Sequence, residues 1–301
     1  MNEAEVVTGD CSLDAKVKLN GVKEAAVSGF ATLDYVMTTA RPLAGAESIR
    51  ATTHTANGWP QAGGATLYAS KRITLNGHKA APIVHVGPDK NGRMFKAACF
   101  EAGLDISGVE TQQSGRTPCC VLVYHECGGY SCFLDAGHLE NYRLSRQQLG
   151  QIERADLIVV AAAPRGQTEA VLALAAPHQT VAWILKDDPE CFPGYLREKL
   201  SARADIIFCN QSERGLIFPG DRPGQILVET KGSEGVTLSR DGQHWSRAST
   251  SLQVADATGA GDTLAGEVLS QIMSGETDFN SVLDCGNDAA RRLLLDRLQS
   301  A

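Results

Sequence analysis

The second half of the chain repeats one pattern, and that pattern restricts the fold more than any other feature. Short apolar runs at Asp156–Ala162, Thr180–Leu185, Ala204–Cys209 and Gln225–Thr230 are separated by helical stretches of about ten residues. Runs that are apolar throughout, rather than alternating, mark strands buried on both faces. Joined through helices, such strands form right-handed βαβ units in a parallel sheet covered on both sides. The first half adds more pieces of this kind. Ala25–Phe30 reads as a first strand closing on Asp34, Gly63-Gly64 opens a helix to about Leu75, and Ala81–Val86 reads as a buried strand. Asn91–Ala102 carries Met94, Phe95, Ala98 and Cys99 on one side of a helix.

Other segments read as antiparallel. Thr117–Tyr124 and Tyr130–Leu134 flank Glu126-Cys127-Gly128-Gly129 as a hairpin, and Val236–Ser239 with His244–Ala248 form another around Asp241-Gly242. Tyr35–Thr39 and Ser48–Thr55, rich in Thr, Ala and Val, read as short strands. Helices beginning near Gly261 and Phe279 finish the chain. No repeat, low-complexity tract or linker divides it. At 301 residues it fits one large α/β domain over 25–301. Residues 1–24 are polar, without the apolar stretch of a secretory signal, and are expected to be a poorly ordered extension.

Composition excludes several classes. A formal net charge of -7 argues against nucleic acid or an anionic membrane surface as partner. No apolar run approaches the ~20 residues that cross a bilayer. The nine cysteines form no CxxC pair, and several lie in strand-like runs such as Cys119-Cys120-Val121-Leu122-Val123, where a thiol acts as a small hydrophobe. The seven histidines make no HExxH pair. Reduced cysteines and a cytoplasmic location are the expectation.

Chemistry concentrates in Asp256-Ala257-Thr258-Gly259-Ala260-Gly261-Asp262-Thr263. Its glycines permit tight turns, and Thr263–Ile272 behind them is a good helix. Backbone N–H groups at a helix start form an anion site. An aspartate there sits beside the bound anion, where it can take a proton from a hydroxyl while a phosphoryl group is held alongside. A lone glycine turn capped by an aspartate would show the same residues. A dinucleotide fingerprint needs its glycines at the first βα turn, and here they lie near the C-terminus.

Asp256–Asp262 resembles the DTxGAGD motif of the ribokinase-like (PfkB) family of carbohydrate and nucleoside kinases. Asn210-Gln211-Ser212-Glu213 resembles its NxxE, and Thr230-Lys231-Gly232-Ser233-Glu234-Gly235 its TxGxxG. Gly63-Gly64 and Val86-Gly87-Pro88-Asp89-Lys90-Asn91-Gly92 resemble its N-terminal landmarks. Each is common alone; five in the family's order, from about Ala25 onward, are specific.

The resemblance implies a three-layer α/β fold, its mainly parallel sheet flanked by helices, with a small β lid from segments near 35–55 and 117–134. Lid strands in this family commonly pair between protomers, which implies a homodimer. Asp262 is implied as general base, with the backbone of Gly259, Ala260 and Gly261 as anion hole. Asn210 and Glu213 would organise Mg²⁺ through its waters, an ion that dehydrates reluctantly. Thr230, Gly232 and Gly235 would line ATP, with Asn210 also at the nucleotide and Asn287 beside adenine. Asp34, with Gly63 and Gly64, would bind the acceptor. Lys186 and Lys231 read as candidates for phosphate contact or as solvated surface lysines.

Two departures accompany the resemblance. Tyr68 stands where the family's GGxxxNxA pattern places an asparagine, which points to an acceptor with an apolar face. No clear counterpart exists of the later loop that, with Asp256 and Thr258, holds a monovalent cation such as K⁺ in some relatives. The implied activity is phosphorylation of a hydroxyl on a sugar, sugar acid or polyol. A nucleoside kinase of the same fold, or an inactive nucleotide-binding relative, are the alternatives.

Overall fold

The computed structural model describes residues 21, 23–54, 59–137, 143–218, 222–250, 252, 254 and 256–300. Its strands are β1 (Glu24–Ser28), β2 (Thr32–Thr39), β3 (Ala51–His54), β4 (Gln61–Gly63), β5 (Lys79–Val86), β6 (Val109–Thr111) and β7 (Cys119–His125). They continue with β8 (Tyr130–Asp135), β9 (Leu157–Val160), β10 (Thr180–Ile184), β11 (Ile206–Asn210), β12 (Ile226–Thr230), β13 (Val236–Arg240) and β14 (Gln243–Arg247). The helices are α1 (Ala65–Leu75), α2 (Lys90–Glu101), α3 (Arg146–Arg154), α4 (Arg165–Leu174), α5 (Gly194–Arg203), α6 (Ala260–Met273) and α7 (Phe279–Ser300).

The main sheet runs β14-β13-β12-β11-β10-β9-β1-β5-β6. It is parallel from β12 to β6, and the hairpin β13–β14 closes one edge antiparallel. In β10, Val181 and Trp183 point to one face and Ala182 and Ile184 to the other, which is why the run is apolar throughout. Trp183 is fully buried, edge-on to Phe192 with centroids 5.6 Å apart. That face is covered by α3, α4 and α5 through Ile152, Val171, Leu196 and Leu200. The opposite face is covered by α1, α6 and α7 through Ile73, Leu269, Ile272 and Leu283. Each Leu or Ile so buried contributes about 1.5–3 kcal/mol.

The small sheet runs β3-β2-β7-β8, with β4 also paired to β2. Leu33 of β2 packs with Val84 and Val86 of β5 and with Phe95 and Cys99 of α2. This third cluster fixes the small sheet beside the main one, at the end where β1 leaves it. The two expected hairpins form as β7–β8 and β13–β14.

One expectation fails. The stretch between β11 and β12 is predicted helical, yet its described residues form only a 3₁₀ turn, Arg214–Leu216. Pro219 and Pro223 lack the N–H groups a helix would use. Instead, Arg222 donates to the carbonyls of Arg203 and Ala204 and to Asp205, pinning this stretch along α5 and the start of β11. The short strands β4 and β6 carry too few residues for a periodic signal. Of the expected extension 1–24, Glu24 is the first residue of β1, paired with Lys79; the rest lies almost wholly outside the described residues. No described helix is long and apolar enough to cross a membrane.

Candidate active site

The glycine turn leads into α6. Gly259 has φ 74°, a left-handed conformation that side-chain-bearing residues rarely adopt. A Cβ there would also lie 2.4 Å from the Tyr68 ring, so the ring packs directly under the turn. Thr258 N donates to Asp256 Oδ1 at 2.9 Å, Ala260 N to Ala257 O at 3.2 Å, and Thr263 N to Gly259 O at 2.8 Å. Gly259, Gly261 and Asp262 line the adjoining cavity, whereas Ala260, expected as a third member of the anion hole, spends its amide inside the turn. The α6 N-terminus therefore aims its dipole and first-turn amides at that cavity.

Asp262 is buried, and its Oδ1 accepts no hydrogen bond from the described residues. The nearest cation is Lys186 Nζ, 3.3 Å from that oxygen. Lys186 follows β10 at the carboxyl end of a parallel strand, where open α/β sheets place their ligands. The Asp262 carboxylate and, less strongly, Glu213 raise the Lys186 ammonium above its ordinary pKa. Asn210 ends β11. Its backbone N donates to Glu213 Oε2 at 2.9 Å and its Oδ1 accepts from Glu213 N at 2.9 Å, a reciprocal box that holds both residues at the cavity wall. Burial raises the Glu213 carboxyl above its ordinary value, with Lys186 opposing.

Asp34 lies across the cavity on β2, 2% exposed, with Oδ1 free of any hydrogen bond from the described residues. A Cβ on Gly63 would meet Asp34 Oδ2 at 1.8 Å, so only glycine there leaves room for the carboxyl group. Burial, together with the nearby charges of Asp262 and Asp256, pushes the Asp34 carboxyl up to about 6. Desolvation acts in this direction because it penalises the charged form.

Asp34 Oδ1 and Asp262 Oδ1, with Lys186, Asn210, Glu213 and the Gly259–Gly261 turn, surround one cavity of ≈ 750 Å³. The inner face of the small sheet forms its roof: Cys120, Leu122 and Tyr124 of β7, opposite Leu134, Cys132 and Tyr130 of β8. Two buried carboxylates with open acceptor positions, a cation and a helix N-terminus are the parts needed to bind a hydroxylated molecule and hold an anion against it.

The family model described as pfkB family carbohydrate kinase matches residues 32–295. The chain belongs to this family. A curated relative, the ribokinase of Haemophilus influenzae, is 25% identical over 234 residues, covering 71% of this chain and 74% of its own. The structure of Arabidopsis thaliana ribokinase complexed with ribose and ATP superposes with TM-score 0.72 at 19% identity, over 91% of this chain and 93% of that one. Burkholderia thailandensis nucleoside kinase in complex with inosine gives TM-score 0.76 at 15% identity, over 90% of each chain. At such identities the two structures show the fold: ribokinase-like, with the mostly parallel sheet and small second sheet described above.

In this pfkB-family chain the remaining predicted residues lie outside the cavity. Thr230 ends β12, with its Oγ1 donating to Cys209 O at 3.4 Å, and Gly232 and Gly235 turn the chain into β13 with φ 57° and 111°. Asn287 of α7 donates to Ala248 O at 3.3 Å just past β14. Together they form a rim next to Asn210, since Thr230 pairs with Asn210 across β11 and β12.

Of the two lysines read as candidates for phosphate contact or as surface lysines, Lys186 lines the cavity beside Asp262. Two further residues escape the sequence reading. Tyr124 hydrogen bonds Thr258 (OH to Oγ1, 3.1 Å) and stacks near Tyr130. Arg297, near the end of α7, donates to the Tyr68 hydroxyl at 2.8 Å. Tyr68, expected to meet the acceptor, lines the cavity, with its hydroxyl oxygen accepting from Arg297 and its ring packed under the Gly259 turn. No local pattern announces Arg297.

Proposed function

We propose that the chain transfers the γ-phosphoryl group of ATP to a hydroxyl of a small polyhydroxylated acceptor, with Asp262 as the base. The observation that carries this reading is Asp262 itself: a buried carboxylate in the first turn of α6, its Oδ1 open to the cavity beside Lys186. The acceptor hydroxyl gives its proton to Asp262 while the Gly259–Gly261 turn and Lys186 receive the phosphoryl charge. Asp34 accepts hydrogen bonds from the acceptor's other hydroxyls, and the small sheet covers it against water.

Among the described residues no three His, Cys, Asp or Glu side chains cluster as metal ligands. Glu213 and Asn210, boxed together at the cavity wall, would hold a Mg²⁺ through its waters, and the ion would supply neutralisation of phosphate charge. Thr230, Gly232, Gly235 and Asn287 form the nucleotide rim in this reading. Phe133 of β8, 61% exposed, supports a homodimer through the outer face of the small sheet. A cytoplasmic location completes the proposal, since ATP is drawn from that pool.

Sugars, sugar acids and polyols are the leading acceptor class. One observation favours a nucleoside or another ring with an apolar face: Phe30, Leu122, Tyr124, Tyr130 and Leu134 line the cavity. Apolar walls strip water from a ligand that cannot return hydrogen bonds to it. A coupled assay of ADP release, run with Mg·ATP over ribose, cyclic polyols, sugar acids and nucleosides, tests both levels. Acceptor-dependent ADP release from any of them supports the kinase reading, and the ranking decides the class. No acceptor-dependent release from the whole panel, with nucleotide binding intact, counts against it.

A further inference from the structure

We propose that Arg297 is a built-in cation that positions the Asp256–Gly259 turn and the Tyr68 ring, so that the site assembles without a monovalent metal ion; this rests on the kinase reading above.

The guanidinium makes three polar contacts. Nη1 lies 3.0 Å from Asp256 Oδ1 and donates to Asp256 O at 3.3 Å, and Nη2 donates to the Tyr68 hydroxyl at 2.8 Å. Its carbon also sits 5.8 Å from the Tyr68 ring centroid. A planar fork can serve a carboxylate, a carbonyl and a phenol together in a way a lysine cannot. The Tyr68 ring in turn packs under Gly259, so one side chain of α7 is linked to the turn from the chain side through Asp256 and from below through Tyr68.

The same contacts bear on a K⁺ ion of the kind that the resemblance associates with Asp256 and Thr258 in some relatives. Such an ion is held by several oxygens at once. Here Asp256 Oδ1 already accepts from Thr258 N (2.9 Å) and faces Arg297, and Oδ2 accepts from Gln61 Nε2 (3.2 Å). Asp256 O is bonded by Arg297, and Thr258 Oγ1 is paired with Tyr124. The Arg297 and Asp256 side chains are 16% and 8% exposed, so water screens little of the repulsion a second cation would meet. The residues present do not fit a K⁺ ion. α7, which carries Arg297, packs on α6, with Val282 and Leu283 in one buried cluster with Leu264 and Val268.

Arg297 is a positioning residue, and its test reads binding and stability as well as turnover. The thermal midpoint and the Kd for the Mg²⁺ complex of a non-hydrolysable ATP analogue are measured in KCl and in tetramethylammonium chloride at about 0.1 M, which fixes the screening. For the native chain Kd changes by no more than about twofold between the salts and the thermal midpoint is the same in both, a midpoint raised by K⁺ counting against the proposal. Arg297→Met weakens nucleotide binding about 10-fold or more and lowers turnover about 10²-fold, as a displaced catalytic turn does. In that variant K⁺ or millimolar guanidinium restores part of the binding, and Arg297→Lys lies between the two. Should Arg297→Met not fold, the double variant Asp256→Asn/Arg297→Met removes the stranded charge, and it is expected to fold with weak nucleotide binding and no response to K⁺. A native chain whose Kd tightens 10-fold in K⁺ overturns the proposal, as does Arg297→Met or the double variant binding nucleotide like the native chain. A native chain that binds no nucleotide in either salt contradicts the kinase reading, and the midpoints then decide this one alone.

Discussion

Lys186 Nζ stands 3.3 Å from Asp262 Oδ1, joining the end of β10 to the first turn of α6 across the floor of the cavity. The pair sets a positive charge beside the carboxylate proposed above as the base. Lys186→Met keeps the length of the side chain and removes the charge. Turnover should fall about 10²–10³-fold, the range seen when one preorganised donor is removed from an anion hole, while nucleotide binding changes much less. Unchanged turnover in steady-state kinetics would return Lys186 to the role of a solvated surface lysine.

In the proposed reaction Asp34 should make acceptor binding depend on pH. Its carboxyl is raised to about 6 from an ordinary 3.8, mainly by burial. The ionised form accepts two hydroxyl bonds and the protonated form loses that capacity, so acceptor binding weakens as pH falls. The kcat/KM for the acceptor should drop about tenfold per pH unit below about 6, since that ratio reports free-enzyme groups. Nucleotide binding followed by titration should show no such limb, and in Asp34→Asn the limb should vanish with acceptor affinity already about 10-fold or more weaker.

The same shift acts on stability, with a definite sign. Below about pH 4 the carboxyl is protonated both folded and unfolded, and nothing is lost. Between about 4 and 6 the unfolded chain has released its proton while the folded chain has not, so stability falls as pH rises. Above about 6 the loss is complete, about 3 kcal/mol by the conversion of 1.36 kcal/mol per pKa unit. Asp34→Asn should therefore raise the thermal midpoint at pH 8 while weakening acceptor binding. A midpoint lower than that of the native chain at pH 8 would mean Asp34 is held by bonds that the present geometry lacks.

Much of this was readable beforehand, for physical reasons that differ by element. The runs at Leu157–Val160, Thr180–Ile184 and Ile206–Asn210 declare themselves because strands buried on both faces must be apolar throughout. The Asp256–Asp262 turn declares itself because only glycine tolerates the φ at Gly259 and the closeness of the Tyr68 ring. Arg297 does not, because a guanidinium 41 residues from Asp256 reaches it only through the packing of α7 on α6, which no local spacing encodes. The failed helix after β11 was readable in principle from Pro219 and Pro223. Its replacement by carbonyl bonds from Arg222 was not.

Glu213→Gln tests the metal side of the site. Glutamine keeps the acceptor that receives Asn210 N, so the box at the end of β11 survives and the fold is unchanged. Loss of the charge should weaken the apparent Mg²⁺ affinity and lower turnover about 10–100-fold, as for outer-shell partners of metals. A Mg²⁺ titration superimposing on that of the native chain would leave Glu213 as a structural residue of the Asn210 box.

The most direct test is Asp262→Asn, read as acceptor-dependent ADP release beside calorimetric binding of the Mg²⁺–nucleotide complex. Asparagine is nearly isosteric and keeps the helix start, but it cannot take the hydroxyl proton. Turnover should fall by about 10²–10⁴-fold, the contribution of a general base, with nucleotide affinity and thermal midpoint close to those of the native chain. Native turnover in Asp262→Asn would contradict the account at its centre.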